Sequence, residues 1–339
     1  MKQLVTTGGM VKWYTAFQID YQAWLILSII YSILYMPTLA LSNSITFAHI
    51  NNQENDFPRI RIWGTIGWIA ASWAFPMIWL QTDLHFQFMP PFIVGDEIQG
   101  VTSKLVDALK FSGIISILYG AFCFVLPNTP PKKDALEKLA FKKAFSLFQY
   151  TSFSVLVFAS LAVSIIHQIY FLQTGPYLSH IGIPDSQIGP AMTIGQFAEI
   201  LTMGYLGYFL KRIGFKRVIT IGIGAYCLRY AIFGTEFFPV WVMVLSQAFH
   251  GFCYAFFFAA AYIYVDKIAD EDVRHSAQTV FGIIILGGGP VIGGWLSGFL
   301  QSTYTVDMEF NFSKFWYTLS VIGLLTTALF YFSFHEDKE

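Results

Sequence analysis

The sequence predicts an all-α polytopic membrane protein with about nine transmembrane helices, and three observations lead there. Of its 339 residues, 55% are hydrophobic and only 12% charged, whereas a soluble domain carries about a quarter charged residues. Apolar stretches near the ~20 residues needed to cross a bilayer recur near 22–48, 60–80, 106–127, 151–174, 187–210, 216–235, 239–265, 277–301 and 315–334. The connectors between them sort by charge, as spans of alternating direction require. The net charge of -1 gives no reason to expect nucleic acid. Cys123, Cys227 and Cys253 lie in apolar runs with no pairing or metal spacing. With no metal-ligand cluster, nucleophile–base arrangement or phosphate loop, the sequence points to no enzyme, cofactor or metal.

Residues 1–20 are too short and too mixed to span alone, and they read as the outer end of a helix whose start is missing. The first span is interrupted at Tyr35-Met36-Pro37-Thr38 and carries Ser42-Asn43-Ser44, which is tolerable where it lines protein or water. Asp56 and Pro58 read as a helix start for the second span. There Arg61, Thr65 and Trp68 follow i, i+4, i+7 and so share a face. That stripe suits a polar, partly aromatic solute, or else a simple interfacial anchor.

After the third span, Thr129-Pro130-Pro131 stops the helix and Lys132, Lys133, Lys138, Lys142 and Lys143 follow. This connector, 128–148, divides a partial N-terminal bundle (1–127) from a C-terminal six-helix bundle (149–339). It and the basic turn Lys211-Arg212-Ile213-Gly214-Phe215-Lys216-Arg217 are expected to be cytoplasmic, as is the C-terminus. The turns near Asp185 and Glu236, poor in positive charge, are then external.

Within the later spans, Glu199 near the middle of 187–210 stands out, because an acid at that depth costs at least ~2.5 kcal/mol. Gln196 precedes it on the same face. The competing role for Glu199 is an ion pair with Arg229, and Arg229 itself reads equally as a side chain snorkelling to the interface. The fourth span offers His167-Gln168 with Phe171, and Gln168 can both donate and accept. The seventh runs His250-Gly251-Phe252-Cys253-Tyr254-Ala255-Phe256-Phe257-Phe258, either a stacking surface or core filling. Asp266 to Gln278, with Arg274 after a run of acids, reads as an interhelix latch or a solvated turn. The eighth span gathers Gly287-Gly288-Gly289-Pro290, Gly293-Gly294 and Gly298, for close packing or a hinge.

Tyr35-Met36-Pro37-Thr38-Leu39, then Asp56-Phe57-Pro58 through Arg61-Ile62-Trp63-Gly64-Thr65-Ile66-Gly67, Gln196 with Glu199, Tyr254-Ala255-Phe256-Phe257, and Asp272, Arg274, Ser276 and Gln278 resemble the bacterial nucleoside:proton symporters of the major facilitator superfamily. The likeness runs over nearly the whole chain. It implies a twelve-helix bundle that takes up nucleosides with protons by alternating access, in the bacterial cytoplasmic (inner) membrane and as a monomer. It also implies that the first span here is the fourth of the family, so that about three helices are missing.

Carried across by motif, the solute site would comprise Arg61, Thr65, Trp68, Gln168, Phe171, Gln196, Glu199, Tyr254 and Phe256, with Glu199 as the proton-coupling acid. Phe171 stands where the resemblance leads one to expect Asn. Ala255 stands where an aspartate is found in a family permease. Partners are therefore a nucleoside or similar small polar solute, protons and the lipid bilayer. The alternatives are a carrier for a sugar or other small polar solute, and a truncated chain that does not transport.

Overall fold

The computed structural model describes residues 21–89, 92–95, 107–129, 147–235, 237–269 and 274–336. Within them α1 runs Tyr21–Ala48, α2 Gln53–Ala74, α3 Asp107–Phe122, α4 Thr151–His180 and α5 Asp185–Gly234. Then come α6 (Val240–Ile268), α7 (Ser276–Thr303) and α8 (Phe312–Ser333). Each apolar stretch found in the sequence centres on one of these helices or, for α5, on one of its two arms. Six of them, all but α2 and α5, are long and apolar enough to cross a membrane.

The starts and breaks have local causes. α2 begins a turn earlier than Asp56 suggested. Asn52 caps it by accepting from the Asn55 N–H at 3.1 Å, and Asp56 accepts back from the Asn52 N–H at 3.1 Å, the reciprocal logic of a capping box. Pro58 therefore lies inside the helix, and it is buried. The hydroxyls of Thr38, Ser42 and Thr46 return to α1's own carbonyls, which keeps them satisfied at membrane depth.

The basic turn in α5 shrinks to a single residue. Gly214, at φ 78 and ψ 167, separates a first arm (185–213) from a second (215–234), and positive φ is a conformation glycine takes freely. The Glu336 carboxylate accepts the Lys216 N–H at the start of the second arm, at 3.1 Å.

α7 shows what its glycine-proline run does. A π turn at Ile284–Gly288 precedes Pro290. In that register the Ile285 carbonyl would look to residue 290, and Pro290 has no N–H to give. The Ser164 hydroxyl of α4 donates to Ile285 O instead. Gly289 and Gly293 let α4 approach: a Cβ at Gly293 would meet Ile165 O at 2.8 Å and Gln168 Cβ at 3.0 Å. At Gly287, Gly294 and Gly298 an added Cβ would meet nothing within 4 Å among the described residues.

The remaining packing centres on α5. Its first arm lies along α2, and both arms hold α6, which contains a π stretch at Phe252–Ala259. Two small antiparallel hairpins, His85–Phe86 with Ile93–Val94 and Thr305–Val306 with Glu309–Phe310, close the ends of α2 and α7. Neither was evident in the sequence, since two-residue strands leave no alternation to read.

Residues 1–20, most of the connector (130–146), Glu236 and the acids 270–272 lie outside the described residues. The rest of the expected latch is present: Arg274 Nε stands 3.8 Å from Asp266 Oδ2. Gln278 donates to Tyr262 O at 2.9 Å, tying α6 to α7.

Candidate functional site

Four helices deliver a buried polar cluster. From α2, the expected stripe appears as such, and its members reach different helices. Arg61 donates to the Tyr254 hydroxyl through Nε at 3.1 Å and also through Nη2. Its guanidinium lies 4.7 Å from that ring's centroid. One turn on, Thr65 is buried and donates to Glu199 Oε1 at 2.6 Å. A further turn on, Trp68 meets Phe171 of α4 with centroids 5.6 Å apart and planes at 58°. At the far end of the same seam, Trp73 donates to Thr193 Oγ1 at 3.0 Å.

Glu199 is 3% exposed and sits on the first arm of α5. Its second oxygen lies 3.6 Å from His250 Nε2, within electrostatic reach and beyond an ordinary hydrogen bond. Gln196, one turn earlier, is equally buried, and its Oε1 has no hydrogen-bond partner among the described residues. An orphaned acceptor of that kind is costly unless a solute or water serves it.

Arg229 lies deeper, on the second arm, and is 0% exposed. It does not snorkel, and among the described residues it pairs with no carboxylate directly. Its Nη1 stands 3.0 Å from His250 Nδ1, so the link to Glu199 runs through an imidazole. Three rings support the cation: its carbon lies 3.9 Å from the Tyr170 centroid, 5.3 Å from Tyr226 and 5.2 Å from Tyr230. Desolvated cation–π contacts of this sort reach ~2 kcal/mol each. Tyr226, Arg229 and Tyr230 share one helix face at i, i+3, i+4, a pattern visible in the sequence and not used there. His167 completes the cluster, with Nδ1 2.8 Å from the Tyr226 hydroxyl and its ring stacked on His250 at 5.7 Å.

Close helix approach makes this possible. A Cβ on Gly251 would meet the Ala198 carbonyl carbon at 2.6 Å. One on Gly195 would meet His250 Cβ at 2.8 Å, and one on Gly222 the Phe256 carbonyl carbon at 2.7 Å. Small residues let α6 lie against both arms of α5.

Of the nine residues expected at the site, Arg61, Thr65, Trp68, Phe171, Glu199 and Tyr254 are joined by these contacts, and Gln196 adjoins Glu199. Phe256 is not brought in. It is buried, with its ring 5.2 Å from Phe209 and from Phe252, because two residues from Tyr254 it lies near the opposite face of α6. Gln168 leans over Gly293 toward α7, while the adjacent His167 faces the cluster. Ala255 is fully buried.

Chemically, the arrangement offers a carboxylate, a guanidinium, an amide oxygen and two tilted aromatic faces. That set suits an uncharged solute with hydroxyls and a flat ring.

Comparisons with known proteins follow the same direction. A family described as "Nucleoside H+ symporter" matches residues 2–339. The putative nucleoside transporter YegT of Escherichia coli (strain K12) is 32% identical, over 98% of this chain and 78% of its own length. The xanthosine permease of the same organism is 26% identical over 94% of this chain and 75% of its own. The crystal structure of the nucleoside transporter NupG superposes with a TM-score of 0.68 at 25% identity, covering 97% of this chain and 81% of that one.

Proposed function

The chain belongs to the nucleoside H+ symporter family, and we propose on that footing that its buried cluster holds a nucleoside and couples its uptake to a proton. It is a multi-pass membrane transporter with the major facilitator fold, and not an enzyme. The observation that carries the site assignment is the Thr65–Glu199 contact of 2.6 Å, which joins α2 to α5 across 134 residues of chain. It sits beside an orphaned Gln196 oxygen and an aromatic pair.

In this reading the ribose hydroxyls exchange hydrogen bonds with Glu199, Gln196 and Arg61. The base lies against Trp68 and Phe171, where stacking contributes ~1–3 kcal/mol per base. Tyr254 orients Arg61, and Gln168 joins when α4 and α7 shift. Phe256 supports the packing of α6 and stays off the solute.

Glu199 takes up the proton, since neutralising it changes the charge of the cluster between outward- and inward-facing states. The lobes that rock are 1–127 and 149–339, linked by 128–148, with the solute between them. The carrier sits in the bacterial cytoplasmic membrane with its C-terminus inside and works as a monomer, each cluster being built within one chain.

The test is uptake of labelled uridine, adenosine and xanthosine by the full chain in proteoliposomes under an imposed proton gradient. Accumulation that excess glucose does not inhibit supports the reading. Glu199→Gln should abolish gradient-driven uptake while leaving nucleoside exchange. Uptake by that variant with the normal pH dependence would overturn Glu199's role, and competition by sugars as effective as by nucleosides would overturn the solute class.

A further inference from the structure

Arg229 is too deeply placed to touch the solute, yet it contacts the residue behind Glu199. A guanidinium has donors only. With Arg229 Nη1 3.0 Å from His250 Nδ1, that nitrogen must present its lone pair. The proton of the neutral ring then sits on Nε2, which faces Glu199 Oε2 across 3.6 Å. A second proton on the ring would point at the guanidinium and break the contact.

From this we propose that Arg229 fixes the tautomer of His250, making it a permanent N–H donor aimed at Glu199: a positioning residue for the coupling acid, and not a proton carrier. This rests on the transport reading above and adds to it the direction in which the coupling proton cannot travel.

The other groups around His250 agree with that assignment. On α4, His167 stacks on it at 5.7 Å and Tyr170 at 5.6 Å, and both meet it through ring faces. His167 keeps its Nδ1 on Tyr226 of the second arm, and Tyr170 donates to Gln247 Oε1 at 2.8 Å. On α6 itself, the Tyr254 ring lies 6.3 Å away, with its hydroxyl engaged by Arg61 of α2. Glu199 and Arg229 are thus the groups that His250's nitrogens address, one on each side.

Glutamine can imitate this arrangement, its oxygen accepting from Arg229 and its amide N–H facing Glu199, but it cannot carry a proton. The experiment compares His250→Gln, His250→Phe and Arg229→Met in proteoliposomes, with gradient-driven uridine uptake and uridine exchange measured across the acid-to-neutral range. His250→Gln should keep coupling and the wild-type pH midpoint, with the rate lowered by less than about tenfold because one neutral donor replaces another. His250→Phe should raise the uridine KM and move the midpoint. Arg229→Met frees Nδ1 and should add a second ionisation to the pH profile, which His250→Gln in the same background should remove.

Loss of driven uptake in His250→Gln with exchange intact would overturn the proposal, because it would make the imidazole a carrier. A single unchanged ionisation in Arg229→Met would also overturn it. Absence of any uridine movement in the wild type would instead fault the transport reading.

Discussion

Gly251→Ala tests whether the close approach of α6 to α5 sets the geometry of the site. The added methyl would lie 2.6 Å from the Ala198 carbonyl carbon and 2.7 Å from both Ala198 O and Glu199 N. These are backbone atoms, so no side chain can swing aside. The nearest contact falls about 0.8 Å short of an ordinary 3.4 Å separation, and α6 must retreat by roughly that much. His250 and Tyr254 ride on α6, while Glu199 stays with α5. The His250–Glu199 gap of 3.6 Å and the Tyr254–Arg61 contact both change. A displacement near 1 Å at a working site costs on the order of 10²-fold in rate, and overpacking a core costs about 1–3 kcal/mol of stability. Uridine uptake in proteoliposomes should fall by that order, with the melting temperature in detergent lowered. Gly204→Ala, on the first arm of α5 with nothing within 4 Å of the added methyl among the described residues, is the control and should behave as wild type. Near-normal uptake and melting in Gly251→Ala would refute the reasoning, because the helices would then have slack that the contacts deny.

Other substitutions separate the parts of the cluster. Thr65→Val removes the donor to Glu199 Oε1 and should weaken nucleoside binding by about 10- to 150-fold, the equivalent of ~1.5–3 kcal/mol for a hydrogen bond to a charged group, read as KM. Trp68→Ala should lose about 5- to 150-fold in affinity for uridine, from ~1–3 kcal/mol of stacking, with less effect on competition by free ribose. Ser164→Ala leaves the Ile285 carbonyl without its donor and should cost about 1–3 kcal/mol of stability, seen as a lower melting temperature with KM little changed. Arg274→Gln breaks the contact with Asp266 and should change the ratio of outward- to inward-facing carrier, measured by cysteine accessibility on either side of the membrane, with nucleoside affinity within each state unchanged.

Much of this was legible in the chain because helix periodicity is local. Arg61, Thr65 and Trp68 had to share a face once α2 was a helix, and Gln196 had to accompany Glu199. The rarity of acids at bilayer depth marked Glu199 before any partner was known. Where α2 starts was less legible, since Asn52 and Asp56 are both good caps and only their reciprocal bonds show which one stands first. Phe256 shows where likeness to a family pattern stops: the motif placed it at the site, yet it lies two residues from Tyr254, near the opposite face of α6, and packs on Phe209 instead of the cluster.

Taken alone, the sequence determined that the chain is a bundle of apolar helices and which polar side chains those helices would carry inside. Through residues matching a family pattern, it also led to the expectation of a nucleoside carrier. Tertiary structure decided who meets whom. Arg229 had two candidate fates, a headgroup or Glu199, and it took neither, settling among Tyr170, Tyr226 and Tyr230 with His250 between it and the acid. Such pairings depend on how far one helix is rotated and slid against another. That is set by backbone contacts at Gly195, Gly222 and Gly251, and by π turns, which leave no periodic trace along the chain.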